Sequence, residues 1–178
     1  NDLTSHGCHV TFVFNNDDPL LARKIQNTDF ASFIPWSSSI YSRLSELCDF
    51  GIANSQIPIQ RTSLVRKISS SISSKYNETK VDYMVRFKPT SNPGRALSFI
   101  KQGIPCLVDF TPSNTQAVMH AHNGFVFSNF KNLVHQMLYC SKMNEQEYEK
   151  LSMNATNHYK RFFDDEMEVE QIRKFMEA

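Results

Sequence analysis

"NPGRALSFIKQGIPCLVDF", residues 92–110, joins a predicted helix to a predicted strand. Pro93 suits the first turn of a helix, and Gly103 suits its end. Leu97 and Ile100 fall on one face of that helix. The run IPCLVDF that follows is short and almost wholly apolar, which is typical of a strand buried on both faces. A helix leading directly into such a strand is the repeating unit of a parallel sheet.

Short apolar runs alternate with amphipathic stretches through most of the chain. Strands are predicted at residues 8–14, 30–36, 50–54, 81–87, 104–110 and 124–127. A helix start is predicted at Pro19, behind two aspartates, and a second helix is capped by the serines at 37–39. The second helix would carry Ile40, Leu44 and Leu47 inward. The pattern predicts an α/β fold: a Rossmann-like parallel sheet with helices on both faces and a helical C-terminal tail.

The length of the chain favours one domain. The 178 residues, of 20.5 kDa, are predicted to form a single Rossmann-like domain, 1–178, with 129–178 as its helical C-terminal extension. Residues 55–80 are Ser-rich, basic and weakly periodic, so we expect a surface excursion there.

Composition excludes several classes of protein. Nineteen Lys and Arg residues against 18 Asp and Glu give a net charge of +1, which is unlike a dedicated nucleic-acid binder. No apolar run approaches the roughly 18 residues that a membrane span needs. Four cysteines (Cys8, Cys48, Cys106 and Cys140) form no CxxC pair and lie among apolar neighbours. We interpret them as reduced, buried thiols rather than a zinc site or a disulfide framework, and expect a cytoplasmic location.

The first candidate site is the loop at residues 88–95, KPTSNPGR, which leads into the predicted helix. Free backbone N–H groups and the dipole at a helix start attract anions, of which phosphate is the commonest. Lys88 and Arg95 add two positive charges suited to a diphosphate, and Ser91 and Asn92 add polar side chains. The alternative is an ordinary capped helix with solvated basic neighbours.

A second candidate loop follows the next strand at residues 110–116. Thr111 or Ser113 can cap a short helix there, and the loop either offers hydroxyls and amides to a ligand or only turns the chain. His120 and His122 lie two residues apart, and we interpret them as surface histidines rather than metal ligands. The fingerprints GxGxxG, GxxxxGK[ST] and GxSxG are all missing from the sequence.

Three pieces, in this order, resemble a known family: FIPWSSSIYSRLSELCDFGIA, RFKPTSNPGRALSFIKQGIPCLVDFTPSNTQAV and NGFVF. Together they are similar to the nucleotide-sugar-binding half of GT-B glycosyltransferases, over about residues 10–143. The resemblance implies transfer of a sugar from a UDP- or GDP-linked donor, without a bound metal or other cofactor, and a second Rossmann-like domain on the same chain or another. By the resemblance, the donor diphosphate would be faced by Lys88, Ser91, Asn92 and Arg95. The residues near the donor sugar and nucleotide would be Thr111, Pro112, Ser113 and Asn114, with the loop after Asn54 near the base.

The chain also departs from the family pattern. Retaining members usually carry two glutamates around this helix, whereas Ser98 and Thr90 stand at or near those positions, and Gln116 stands where a related loop often has Glu. One alternative is therefore a non-catalytic Rossmann-like binding or interaction module that has lost the catalytic carboxylates. A sugar-nucleotide epimerase, which shares the GT-B architecture, is a further alternative.

Overall fold

The computed structural model describes residues 2–14, 25, 28–54 and 92–177 of the chain. The strands in these residues are β1 (Val10–Phe14), β2 (Ala31–Pro35), β3 (Gly51–Ala53), β4 (Cys106–Asp109) and β5 (Gly124–Phe127). The helices are α1 (Asp2–Ser5), α2 (Ser38–Tyr41), α3 (Leu44–Leu47), α4 (Gly94–Lys101), α5 (Pro112–Ala117), α6 (Phe130–Cys140), α7 (Glu145–Phe162) and α8 (Asp165–Glu177).

The three strand pairs in the described residues are all parallel, as the alternation of strands and helices predicts. β1 pairs with β2 through Val10 opposite Ala31. A three-stranded sheet has the order β3-β4-β5, with Gly51 opposite Cys106 and Asp109 opposite Phe127. β4 is buried along its whole length because it is the central strand of this sheet.

Helices cover both faces of the three-stranded sheet. Side chains alternate between the faces of a strand, and two hydrophobic clusters follow that alternation along β4. Cys106 and Val108 pack in one cluster with residues from α4, α5 and α7, including Ile100. Leu107 packs in the other cluster with Phe125, Phe127 and Cys140 of β5 and α6. The fold is therefore α/β and Rossmann-like, and this prediction is confirmed.

Helix α4 runs antiparallel to β4, which places its first residue at the carboxyl edge of the sheet. The chain reverses between them at Gly103, whose φ of 74° is costly for any residue with a side chain. Near the end of α4, the ring of Phe99 lies against Gly51, the first residue of β3, where an added Cβ would collide with it. Since the end of α4 lies over the amino ends of the strands, its start lies beside their carboxyl ends.

The helix predicted behind the serines at 37–39 is broken in the structure. It forms two short helices, α2 and α3, separated by Ser42 and Arg43. The hydroxyl of Ser42 donates to the carbonyl of Ser39, 3.0 Å away, and such local bonds compete with a continuous helix. Leu44 is buried as predicted, whereas Leu47 is exposed.

The predicted helical tail is confirmed as α6, α7 and α8. Asn129 caps α6 by accepting from the N–H of Asn132 at 2.9 Å, and Asn144 forms a capping box with Glu147 at the start of α7. Helix α1, which precedes β1, packs against α6, and α6 in turn packs against β5 of the three-stranded sheet.

Several predictions lie outside the described residues: the strand at 81–87, the surface excursion at 55–80 and the helix start at Pro19. The assignment of 1–178 to one domain stays a prediction. None of the helices that the structure describes is both long and apolar enough to cross a membrane.

Candidate functional site

The candidate site lies at the carboxyl edge of the three-stranded sheet, around the start of α4. Pro93 is the N-cap residue, with φ −73° and ψ 17°, and no side chain within the described residues caps the helix. Asn92 and Arg95 are exposed, and Pro93 and Gly94 are half-buried. The start of the helix is therefore open to solvent on the side that carries a cationic side chain.

The backbone at this helix start is suited to an anion. The first intrahelical hydrogen bond runs from the N–H of Leu97 to the carbonyl of Pro93, at 2.9 Å. The N–H groups of Gly94, Arg95 and Ala96 precede it and so have no intrahelical acceptor. Their partial positive charge adds to that of the Arg95 guanidinium, which makes the start of α4 electropositive.

Ser98 stands where the family resemblance expects a glutamate. Its hydroxyl donates to the carbonyl of Gly94 at 2.6 Å, one turn back along α4. The hydroxyl is therefore bonded within its own helix and offers no carboxylate to a ligand.

The loop after β4 is held by its own side chains. Thr111 is the N-cap of α5, and its hydroxyl oxygen accepts from the N–H of Asn114 at 3.2 Å, as the sequence predicts. Both side chains are almost fully buried, whereas Pro112 is exposed and Ser113 is half-buried. Thr111 and Asn114 thus shape the turn, and any contact of this loop with a donor stays a prediction.

Asp109, the last residue of β4, holds the candidate loop in place, a role that sequence reasoning missed. Its side chain is fully buried, and its Oδ1 accepts from the Nδ2 of Asn114 at 2.6 Å. Its backbone carbonyl accepts from the N–H of Thr111 at 2.8 Å. The only sequence signal was an acidic residue at the end of an apolar run, which is also common at exposed strand ends.

Phe110 was predicted to end the strand, but the structure places it just beyond β4. Its N–H donates to the carbonyl of Phe127 at 2.9 Å, while its side chain remains 57% exposed. The loop therefore presents an aromatic ring at the same edge as the start of α4.

His120 and His122 are exposed, as predicted, and one of them supports the sheet. The Nδ1 of His120 accepts from the N–H of Val126 in β5 at 3.1 Å. The carbonyl of Val126 accepts from the Nε2 of Gln136 at 2.8 Å. Two side chains thus satisfy the backbone of β5 on the side away from β4. No cluster of three or more metal-ligating side chains occurs among the described residues.

The four cysteines are free thiols; Cys106 and Cys140 are buried, and Cys8 and Cys48 are half-buried. Burial, with a smaller contribution from the charge of Asp49, raises the pKa of Cys48 to about 11. Burial also raises the pKa of Cys140 to about 12, with a smaller contribution from Cys8. Reactive cysteines have lowered pKa values, so these two thiols are unsuited to nucleophilic chemistry.

The remaining predicted site residues, Lys88 and Ser91, lie outside the described residues, as do Thr90 and the loop after Asn54. The structure brings the others, Asn92 and Arg95 on one side and the 111–114 loop on the other, to one edge of the sheet. Helices α4 and α5, which begin at that edge, contact each other.

Comparison with known proteins identifies the fold. No protein-family model and no curated protein matches the chain. Two solved structures of HepE from Anabaena are similar. The complex with UDP-glucose has a TM-score of 0.62 and 13% identity over 97% of this chain. The complex with UDP and glucose has a TM-score of 0.64 and 15% identity over 97% of this chain. The chain has a GT-B-type glycosyltransferase fold and spans less than half of HepE, 43% and 42% in the two structures.

Proposed function

We propose that this chain binds a nucleotide-diphosphate sugar and forms the donor-binding half of a GT-B-type glycosyltransferase. The observation that carries the proposal is the open start of α4, with Arg95 exposed beside it, at the carboxyl edge of a parallel sheet. Ligands of open α/β sheets bind in the crevice beyond that edge. HepE, which shares the fold, was solved with UDP-glucose and with UDP and glucose, and this supports the class of ligand.

The diphosphate is the part of the donor that this edge would bind. The first N–H groups of α4 would donate to phosphate oxygens, and Arg95 would add charge-assisted hydrogen bonds. Asn92 would donate from its side-chain amide. We propose the same role for Lys88 and Ser91, which precede them in the loop. A hydrogen bond to a charged group contributes about 1.5–3 kcal/mol, so the loss of Arg95 alone would weaken binding markedly.

The same groups would assist the chemistry of transfer. As the bond between the sugar and the diphosphate breaks, negative charge grows on the leaving phosphate oxygens. Fixed N–H dipoles and a cationic side chain stabilise that developing charge without reorganising. We therefore propose a metal-independent reaction, with no cofactor beyond a UDP- or GDP-linked donor.

The loop after β4 would lie beside the donor sugar or nucleotide. Pro112 and Ser113 offer the accessible surface of that loop. Thr111 and Asn114 would act through the loop, since their polar groups hold its turn.

A second Rossmann-like domain, on the same chain or another, would complete the cleft and hold the acceptor. The proposal is supported by the extent of the match, because this chain spans less than half of HepE. The four free cysteines support a cytoplasmic location, where thiols stay reduced.

One observation favours a second function, that of a non-catalytic nucleotide-binding module. The hydroxyl of Ser98 is bonded to the carbonyl of Gly94, so this position supplies no carboxylate for the sugar or ribose. Radiolabelled UDP-glucose separates the two functions. With the second Rossmann-like domain supplied, transfer or hydrolysis of the donor indicates an enzyme, and binding without turnover indicates a module. Conversion to another UDP-sugar would instead indicate an epimerase.

Titration of the full chain with UDP, followed by calorimetry, tests the proposed binding. We expect Arg95→Ala to weaken UDP binding about tenfold or more, as the loss of a charge-assisted hydrogen bond implies. Lys150→Ala, at an exposed position on α7, removes the same charge away from the site and serves as the control. Equal UDP affinities of the two variants, or no binding of either UDP or GDP to the parent chain, would refute the proposal.

A further inference from the structure

We infer that Phe110 is a specificity-determining residue that packs against the sugar ring of the donor. The inference rests on the proposed function and deepens it, because it assigns a residue to the sugar rather than to the diphosphate. Three observations support the inference: the position of the Phe110 ring, the hydrogen bonds that fix the backbone around it, and the exposure of the ring.

The position of Phe110 follows from the topology of the sheet. β4 is the central strand, and Phe110 is the first residue beyond its carboxyl end. α4 runs antiparallel to β4, so its open start lies at this same edge, and α4 contacts α5, which begins at Pro112. A ligand whose diphosphate sits at the start of α4 can therefore place its next group against the ring of Phe110.

The backbone of Phe110 is fixed on both sides. Its N–H donates to the carbonyl of Phe127 at 2.9 Å, which extends the pairing of β4 with β5 by one residue. The N–H of Thr111, the next residue, donates to the carbonyl of Asp109 at 2.8 Å. Asp109 and Thr111 are 0% and 3% exposed, whereas Phe110 between them is 57% exposed. An aromatic ring presented from so constrained a backbone loses little conformational freedom when a ligand covers it.

The chemistry of a sugar ring suits such a surface. One face of a pyranose such as glucose presents C–H groups, and a phenyl ring can cover that face and remove both apolar surfaces from water. This assignment places the ring of Phe110 against the sugar and the uracil base elsewhere, so Phe110 would distinguish UDP-sugar from UDP. A polar side chain at position 110 would lose the contact, whereas Leu would keep part of it.

The test compares the affinities of UDP and UDP-glucose for the full chain and its Phe110 variants. We expect Phe110→Ala to weaken UDP-glucose binding about five- to tenfold while leaving UDP binding within about twofold of the parent, as the loss of one apolar contact implies. Phe110→Leu should fall between the parent and Phe110→Ala. Phe175→Ala removes an 85% exposed ring from α8 and should change neither affinity.

The same binding measurements distinguish a failure of the Phe110 role from a failure of the proposed donor binding. If the parent chain binds UDP but Phe110→Ala leaves UDP-glucose binding unchanged, or weakens both ligands equally, the role of Phe110 is refuted and the proposed function stands. If the parent chain binds neither UDP nor UDP-glucose, the role of Phe110 is refuted, and the proposed function is refuted with it when GDP also fails to bind. Circular dichroism of each variant confirms that the fold is kept, and Phe110→Tyr, which retains the ring, should bind UDP-glucose as the parent does.

Discussion

The side-chain amide of Asn114 donates to a carboxyl oxygen of Asp109 across 2.6 Å, and both side chains are almost fully buried. The bond joins the end of β4 to the first turn of α5. Asn114 also donates its backbone N–H to the hydroxyl oxygen of Thr111, which caps α5. The edge loop at 110–114 is thus tied to the sheet by bonds that water does not reach.

We expect Asn114→Ala to reduce the free energy of unfolding by about 2–3 kcal/mol, because it removes a donor from the buried carboxyl group of Asp109. Asn114→Asp should cost more, since it brings two buried carboxyl groups together. Urea denaturation followed by fluorescence measures both variants.

The control for this prediction is Asn129→Ala, which removes an exposed cap from α6 and should cost about 1 kcal/mol. If Asn114→Ala costs no more than Asn129→Ala, the bond between Asn114 and Asp109 does not hold the loop.

Gly124→Ala should destabilise the protein by more than about 3 kcal/mol, because the new methyl group would collide with the backbone of Cys106 in β4. Relief of the collision would force β4 and β5 apart at their first paired residues. Thermal denaturation measures the loss.

Gly94→Ala is the matched substitution at the site. Among the described residues, a Cβ there meets the side chain of Asn92 alone, with Oδ1 at an ordinary 3.4 Å, and alanine favours the helix. We expect it to be neutral or to stabilise the chain by up to about 1 kcal/mol. If Gly124→Ala and Gly94→Ala lowered the free energy of unfolding by similar amounts, the close packing of Gly124 in β5 against Cys106 would be contradicted.

Stability should fall in alkali because burial raises the pKa of Cys48 to about 11 and of Cys140 to about 12. Thiols of the unfolded chain ionise near pH 9, well before the folded ones. The unfolded state therefore binds fewer protons than the folded state above that pH, and the free energy of unfolding decreases as pH rises towards 11.

The double variant Cys48→Ala, Cys140→Ala tests this sign. Its free energy of unfolding should decline less steeply than that of the parent between about pH 8 and about pH 10.5, whatever its absolute value. Parallel declines of the two proteins would show that these thiols are not protected by the fold.

Much of the fold could be predicted from the sequence because its signals are local. The apolar run at residues 124–127, the glycine turn at Gly103 and the cap at Thr111 all depend on neighbouring residues. The break between α2 and α3 was missed because the leucine spacing favoured one helix, while serine hydroxyls that bond the local backbone ended it.

The candidate site was harder to predict, since its parts meet only in three dimensions. Arg95 and Asn92 were predicted because a helix start is visible in the sequence, and both are exposed; their contact with a ligand stays a prediction. The bond between Asn114 and Asp109 spans five residues across a turn, a spacing that no periodic pattern marks. Phe110 looked like the last residue of an apolar strand, and only the three-dimensional structure shows that β4 ends at Asp109 and that Phe110 is exposed.

Mapping the UDP site by two-dimensional NMR on the ¹⁵N-labelled chain tests the central claim most directly. The account predicts that UDP shifts the backbone amide signals of Gly94, Arg95 and Ala96 at the start of α4, and that uridine, which lacks the diphosphate, does not. Unchanged signals at these three residues under saturating UDP, or shifts confined to other parts of the chain, would contradict it.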